Sequence, residues 1–87
     1  MRNILIETYL TNGCLKTNII IHVSPAIKAF GSYPKGDKGD TTLIKDHTDI
    51  KALVVLINKA LTRPVTLKGN LFGRPVSDIS HIELTLL

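Results

Sequence analysis

Histidines are the side chains most suited to acid/base chemistry near neutral pH, and two of the three lie in strand-like segments. His22 and His81 each fall on the face opposite the main aliphatic residues of their segment. If the two strands are neighbours, the imidazoles can meet and form an acid/base pair or a metal site. Neither histidine is followed, two positions later, by a hydroxyl side chain that is free to act as its partner. Ser24 precedes a proline, and the residue at that spacing after His81 is Glu83. Structural or surface histidines are therefore the favoured alternative.

The most polar stretch, residues 32–42, is predicted to be a loop because its glycine, proline, lysine and aspartate residues resist regular structure. It holds a near-repeat, KGDKGD, at residues 35–40. Backbone N–H groups of glycines beside ammonium groups suit an anionic ligand. The residues predicted to contact it are Lys35, Gly36, Lys38 and Gly39. The stretch does not match a phosphate-binding P-loop, so a solvated loop is the alternative.

Basic side chains are a second source of binding chemistry. Eleven Lys and Arg against seven Asp and Glu give a net charge of +4, with no basic run. The basic residues around the end of a predicted helix form the best candidate patch for contacting phosphates or an acidic protein. They are Lys51, Lys59, Arg63, Lys68 and Arg74. A solvated helix face explains them equally well. With only two Tyr, two Phe and no Trp, the chain offers little for base stacking.

Metal and cofactor chemistry finds no support in residue spacing. No ligand cluster has the spacing of a zinc site, and Asp37 and Asp40 lack the alternating oxygen ligands of a calcium loop. We therefore predict no metal, no cofactor and no catalytic residue. The single Cys14 allows no internal disulfide and indicates a reducing compartment. No apolar run reaches the roughly 20 residues that span a bilayer, so we expect a cytoplasmic protein.

Alternating patterns predict the strands that must position these residues. Asn3–Leu10 directs Ile4, Ile6, Thr8 and Leu10 to one side, and 16–23 is the return strand of an antiparallel hairpin. Asn12-Gly13 is predicted to supply the positive φ angles of a tight turn. A brief strand is predicted at 42–45, another at 64–72 and the last at 79–87. An apolar last strand must lie inside the sheet, be covered, or pair with another subunit.

Two helical segments are predicted. Ser24 can cap a short helical turn near 25–30, with Pro25 in its first position. The segment 46–61 is the main helix, because its apolar residues recur at helical spacing. These residues are Ile50, Leu53, Val54, Ile57 and Leu61. Asp46 or Thr48 is the expected cap.

The patterns together predict one α+β domain over residues 1–87. We expect a single sheet of four or five mainly antiparallel strands with the main helix packed on one face. The leading functional hypothesis is a small non-enzymatic binding or adaptor protein that acts through protein–protein contacts and self-associates as a homo-oligomer. The first alternative is a nucleic-acid or polyanion-binding protein. The second is a small enzyme or anion-binding protein that uses the paired histidines and the polar loop.

Overall fold

The computed structural model describes residues 3–60 and 76–87 and contains one four-stranded antiparallel sheet with one main helix. Its elements are β1 (Asn3–Leu10), β2 (Leu15–His22), α1 (Pro25–Lys28), β3 (Thr41–Ile44), α2 (His47–Ala60), a 3-10 turn (Val76–Asp78) and β4 (Ile79–Leu86). The strand order is β2-β1-β4-β3. The predicted α+β class is confirmed. The strand predicted at 64–72 and the end of the main helix at Leu61 lie outside the described residues.

The strand that ends the sequence lies inside the sheet. β4 pairs with β1 on one side and with β3 on the other, so both of its edges are occupied. Its residues Ile82, Leu84 and Leu86 are buried, as their alternation predicts. Of the three predicted arrangements for an apolar last strand, the interior one is found, and the outer strands of the described sheet are β2 and β3.

The hairpin between β1 and β2 has a different turn from the one predicted. Its loop spans three residues, because the Leu10 N–H donates to the carbonyl oxygen of Cys14 and the Gly13 N–H donates to that of Leu10, both at 2.9 Å. Only Gly13 takes a positive φ, at 87°, whereas Asn12 does not. The Asn12 side chain instead accepts a hydrogen bond from the Cys14 N–H. A three-residue loop needs one left-handed residue, and glycine adopts that conformation without steric cost.

Helix α2 packs one stripe of its surface on the sheet. Ile50, Leu53 and Ile57 are fully buried, and Val54 is half-buried at the border of the core. Asp46 caps the helix by accepting hydrogen bonds from the Thr48 and Asp49 N–H groups. The β-branched residues of this helix lower its intrinsic propensity, so burial of the stripe is its main source of stability.

Helix α1 closes one end of the same core. The Ser24 hydroxyl accepts a hydrogen bond from the Ile27 N–H at 3.2 Å, and Pro25 occupies the first turn, as predicted. Ile27 is buried and Phe30 packs at the border of the core. Tyr33, at the start of the polar loop, is buried as well.

Nine of the thirteen buried hydrophobic residues among those described are isoleucines, which suits a core built mainly from strand faces.

Candidate functional site

The side of the sheet that faces away from the core is the main surface on which the described strands present functional side chains. We call it the open face. Its strand residues alternate with the buried ones and are exposed or half-buried. They are Asn3, Leu5, Glu7, Tyr9, Asn18, Ile20, His22, Thr41, Leu43, His81, Glu83 and Thr85.

An irregularity in the pairing of β1 with β4 concentrates polar groups at one end of the open face. Tyr9 is opposite His81, but Leu10 is opposite Ile79, which leaves Ser80 as an extra residue in β4. Such a bulge bends a strand and redirects side chains. The Ser80 hydroxyl lies 3.2 Å from Nδ1 of His81, the next residue.

Tyr9, His81 and Glu83 form one cluster on this part of the face. The rings of Tyr9 and His81 stack with their centroids 4.6 Å apart and their planes inclined by 14°. His81 Nε2 lies 3.7 Å from Oε2 of Glu83. The pKa of the Tyr9 phenol is raised above its ordinary value by desolvation, and further by the charges of Glu7 and Glu83 and by hydrogen bonding to Glu83. The phenol therefore stays protonated and can donate a hydrogen bond throughout the physiological range.

A proton relay through Ser80, His81 and Glu83 is the reaction chemistry that this geometry most resembles. General base catalysis needs the base within hydrogen-bond distance of its partner, about 2.6–3.2 Å. The 3.7 Å between Nε2 and Oε2 exceeds that range, and the His81 and Glu83 side chains are 26% and 30% exposed. Water competes for both groups, and no hydrogen bond joins His81 to Glu83 in this structure.

The two histidines of the predicted acid/base pair are not brought together. Strand β1 lies between β2 and β4, so the strands that carry them are not neighbours. His22 is opposite Asn3 and His81 is opposite Tyr9, at the two ends of β1. Six residues at about 3.3 Å each separate these positions by roughly 20 Å. Both imidazoles lie on the open face, but they do not share a site.

The glycine N–H groups of the polar loop are already used within the chain. The Gly36 N–H donates to the Asp40 carboxylate at 3.0 Å, and the Gly39 N–H donates to the Leu86 carbonyl oxygen at 2.7 Å. The Asp40 backbone oxygen in turn accepts from the Leu86 N–H. A Cβ on Gly36 would meet the Asp40 carboxylate at 2.9 Å, so the Asp40 side chain would have to shift to admit any other residue there. The loop is thus closed on itself by the Asp40 carboxylate and held to the end of β4 by backbone hydrogen bonds, with Lys35 and Lys38 exposed.

Of the predicted basic patch, two members lie in the described part of the chain. Lys51 and Lys59 are exposed on α2, eight residues apart, which corresponds to about 12 Å along the helix. Arg63, Lys68 and Arg74 lie outside the described residues. The predicted patch is therefore represented by two separated lysines.

Among residues 3–60 and 76–87, no three His, Cys, Asp or Glu side chains come together as a metal site. Cys14 is an exposed free thiol at the hairpin turn. No helix in the same residues has the length and the apolar character needed to cross a bilayer.

Sequence reasoning did not assign a function to Glu7, Tyr9 or Glu83. The alternation of β1 places Glu7 and Tyr9 on the side away from the core, which was the available signal. Their proximity to Glu83 depends on the register of β1 against β4, and that register is not evident from either strand alone.

Comparison of this chain with protein-family models, with curated proteins and with solved structures returns no match.

Proposed function

We propose that the protein is a small non-enzymatic binding module that acts through protein–protein contacts made by its open face. The observation that carries this proposal is the exposure of large apolar side chains there. Ile20 is 59% exposed and Leu43 is 45% exposed, and Ile20 is directly opposite the half-buried Leu5. Ile20 lies on β2 and Leu43 on β3, the two outer strands of the sheet, and exposed apolar side chains cost free energy in water that is recovered when a partner covers them.

The composition and size of the open face support a transient interface. It combines apolar residues with Tyr9 and polar groups, the mixture found in interfaces between proteins that also exist separately. Three strands have eight residues and β3 has four; with about 3.3 Å per residue and about 4.8 Å between strands, the face is roughly 20 Å wide and up to about 26 Å long. That is about 440 Å² in projection, below the roughly 800 Å² per partner of a standard stable interface.

Self-association is the form of this proposal in which the partner is a second copy of the chain. The last strand gives it no support, because both edges of β4 are paired within the sheet.

A cytoplasmic location belongs to the same proposal and is supported by the single Cys14, which can form no internal disulfide.

A pair of surface variants tests the proposal. Ile20→Thr combined with Leu43→Thr removes the apolar side chains while retaining β-branched residues that suit strands. The control is Val55→Thr on α2, whose side chain is 47% exposed on the opposite side of the protein. Proteins captured from the source cells by the wild type and by each variant are identified, and direct binding of each purified candidate is then mapped by amide chemical shifts.

The proposal predicts a partner that binds the wild type and the Val55 variant, perturbs the amides of β1, β2 and β3, and is lost with the double variant. Light scattering at several concentrations shows whether that partner is a second copy. Partners that all bind the double variant as well as the wild type, or that map to α2, would overturn it. So would the absence of any direct partner.

A further inference from the structure

The centre of the open face carries two carboxylates in direct opposition. Glu7 and Glu83 are partners in the register between β1 and β4, so their side chains project from adjacent strands on the same side. Like charges placed directly opposite one another destabilise a sheet. Both side chains are half-buried, which weakens the screening of their repulsion by water.

This repulsion is poorly compensated within the described residues. Glu83 has His81 at 3.7 Å, a partner that carries charge only when protonated, and the Tyr9 phenol, an uncharged hydrogen-bond donor. Glu7 has no ion pair or hydrogen bond from its side chain there, and its neighbour on β2 is the uncharged Asn18. The Tyr9 phenol lies close enough to both carboxylates to be affected by their charge, which marks one continuous negative region.

Apolar side chains lie on both sides of this region. Leu5 on β1 and its partner Ile20 on β2 occupy the next row along the strands, and Leu43 on β3 is opposite Glu83. A ligand that covers the face must therefore provide a positive charge at its centre and apolar surface beside it. Lysine and arginine combine a cationic head with an aliphatic stem, and both can contact the ring of a tyrosine.

We infer that the open face binds a basic, partly apolar segment of a partner protein, with a lysine or arginine side chain placed between Glu7 and Glu83. This inference rests on the proposed function and adds the chemistry of the partner. Charge complementarity selects it over the other occupants. A second copy docked through its own open face would set four carboxylates against one another, and a nucleic acid would add phosphates to the same negative region.

Two synthetic peptides of equal length test the inference. One alternates arginine with valine, and the other alternates glutamate with valine. Each is titrated by calorimetry and by amide chemical shifts into the wild-type chain, Glu7→Gln, Glu83→Gln and the control Asp49→Asn. Asp49 is an exposed carboxylate on α2, away from the open face.

The arginine peptide is expected to bind the wild type and Asp49→Asn equally and to shift the amides of β1 and β4. Each glutamine variant should weaken that binding at least tenfold, and added salt should weaken it in the wild type. The glutamate peptide should not bind. Glu7→Gln should also raise the melting temperature of the free protein, because it removes repulsion without removing a contact.

Several results would overturn the inference. They are failure of the arginine peptide to bind, equal binding by the glutamine variants, and a lower melting temperature for Glu7→Gln, which would show that Glu7 makes a stabilising contact. A protein partner that still depends on Ile20 and Leu43 would then leave the proposed function standing without its basic component. If the arginine peptide does not bind and no protein partner depends on Ile20 and Leu43, both the inference and the proposed function are overturned.

Discussion

Replacement of Thr8 by valine should stabilise the protein. Thr8 is the one buried polar residue among those described, with no exposed surface, and its Oγ1 has no hydrogen-bond partner in this part of the chain. It lies on the core side of β1, between Thr17 of β2 and Ile82 of β4 in the register. Valine has nearly the same shape and the same β-branch, so the change replaces a hydroxyl with a methyl group and leaves the backbone as it is.

The expected gain follows from the unmade hydrogen bond. A buried polar group without a partner costs about 1–3 kcal/mol relative to one that is paired. Valine removes that cost and adds one apolar group to the core, offset by the tighter fit of a methyl group. We expect the free energy of unfolding to rise by about 1–2 kcal/mol. For a domain of this size each kcal/mol raises Tm by about 4–8 °C.

Urea unfolding gives the measurement, and Thr85→Val is the matched control. The Thr85 hydroxyl lies on the open face and is 2.9 Å from the hydroxyl of Thr41, so its loss should cost up to about 1 kcal/mol. Opposite signs for the two substitutions are expected, with an unchanged slope against urea. Destabilisation by Thr8→Val would refute the reasoning, because it would mean that the hydroxyl is paired or that the core has no room for the methyl group.

Two further substitutions test the packing and the turn. Ile57→Ala removes a fully buried side chain of α2 and should lower the free energy of unfolding by about 2–5 kcal/mol. Val55→Ala, on the exposed side of the same helix, should change it by less than about 0.5 kcal/mol. Similar losses for the two variants in urea unfolding would contradict the assignment of the buried stripe. Gly13→Ala places a Cβ on a residue with φ of 87° and should cost about 1 kcal/mol. Gly31→Ala, with open space around the new Cβ and no left-handed φ, should be close to neutral in the same assay, and equal effects would argue against the three-residue turn.

The elements of this fold could be predicted closely from the sequence because each depends on local patterns. Alternation located β1 at Asn3–Leu10, and the 3.6-residue periodicity located the start of α2 within one residue of His47. The caps at Ser24 and Asp46 followed from side chains that compete for free helix N–H groups.

What could not be predicted depends on how the elements combine. The order of the strands separates His22 from His81, and nothing in either strand encodes the presence of β1 between them. The hydrogen bonds from Gly36 to Asp40 and from Gly39 to Leu86 likewise involve the folded loop and a strand 47 positions away from Gly39. The open-face cluster around Tyr9 has the same origin, because it exists only in one register.

The interior position of β4 has a consequence for how the chain reaches this structure. Ile4 is opposite Leu86, so the central strand pair joins residues separated by 82 positions in the sequence. The β1–β2 hairpin can close early, but it and β3 remain two separate pieces until β4 enters between them. Contacts so distant in sequence are associated with slow folding, because the entropy of closing a long loop is lost before any contact compensates for it. During synthesis the sheet can be completed only after β4 has left the ribosome, and until then the inner edges of β1 and β3 are open to other chains.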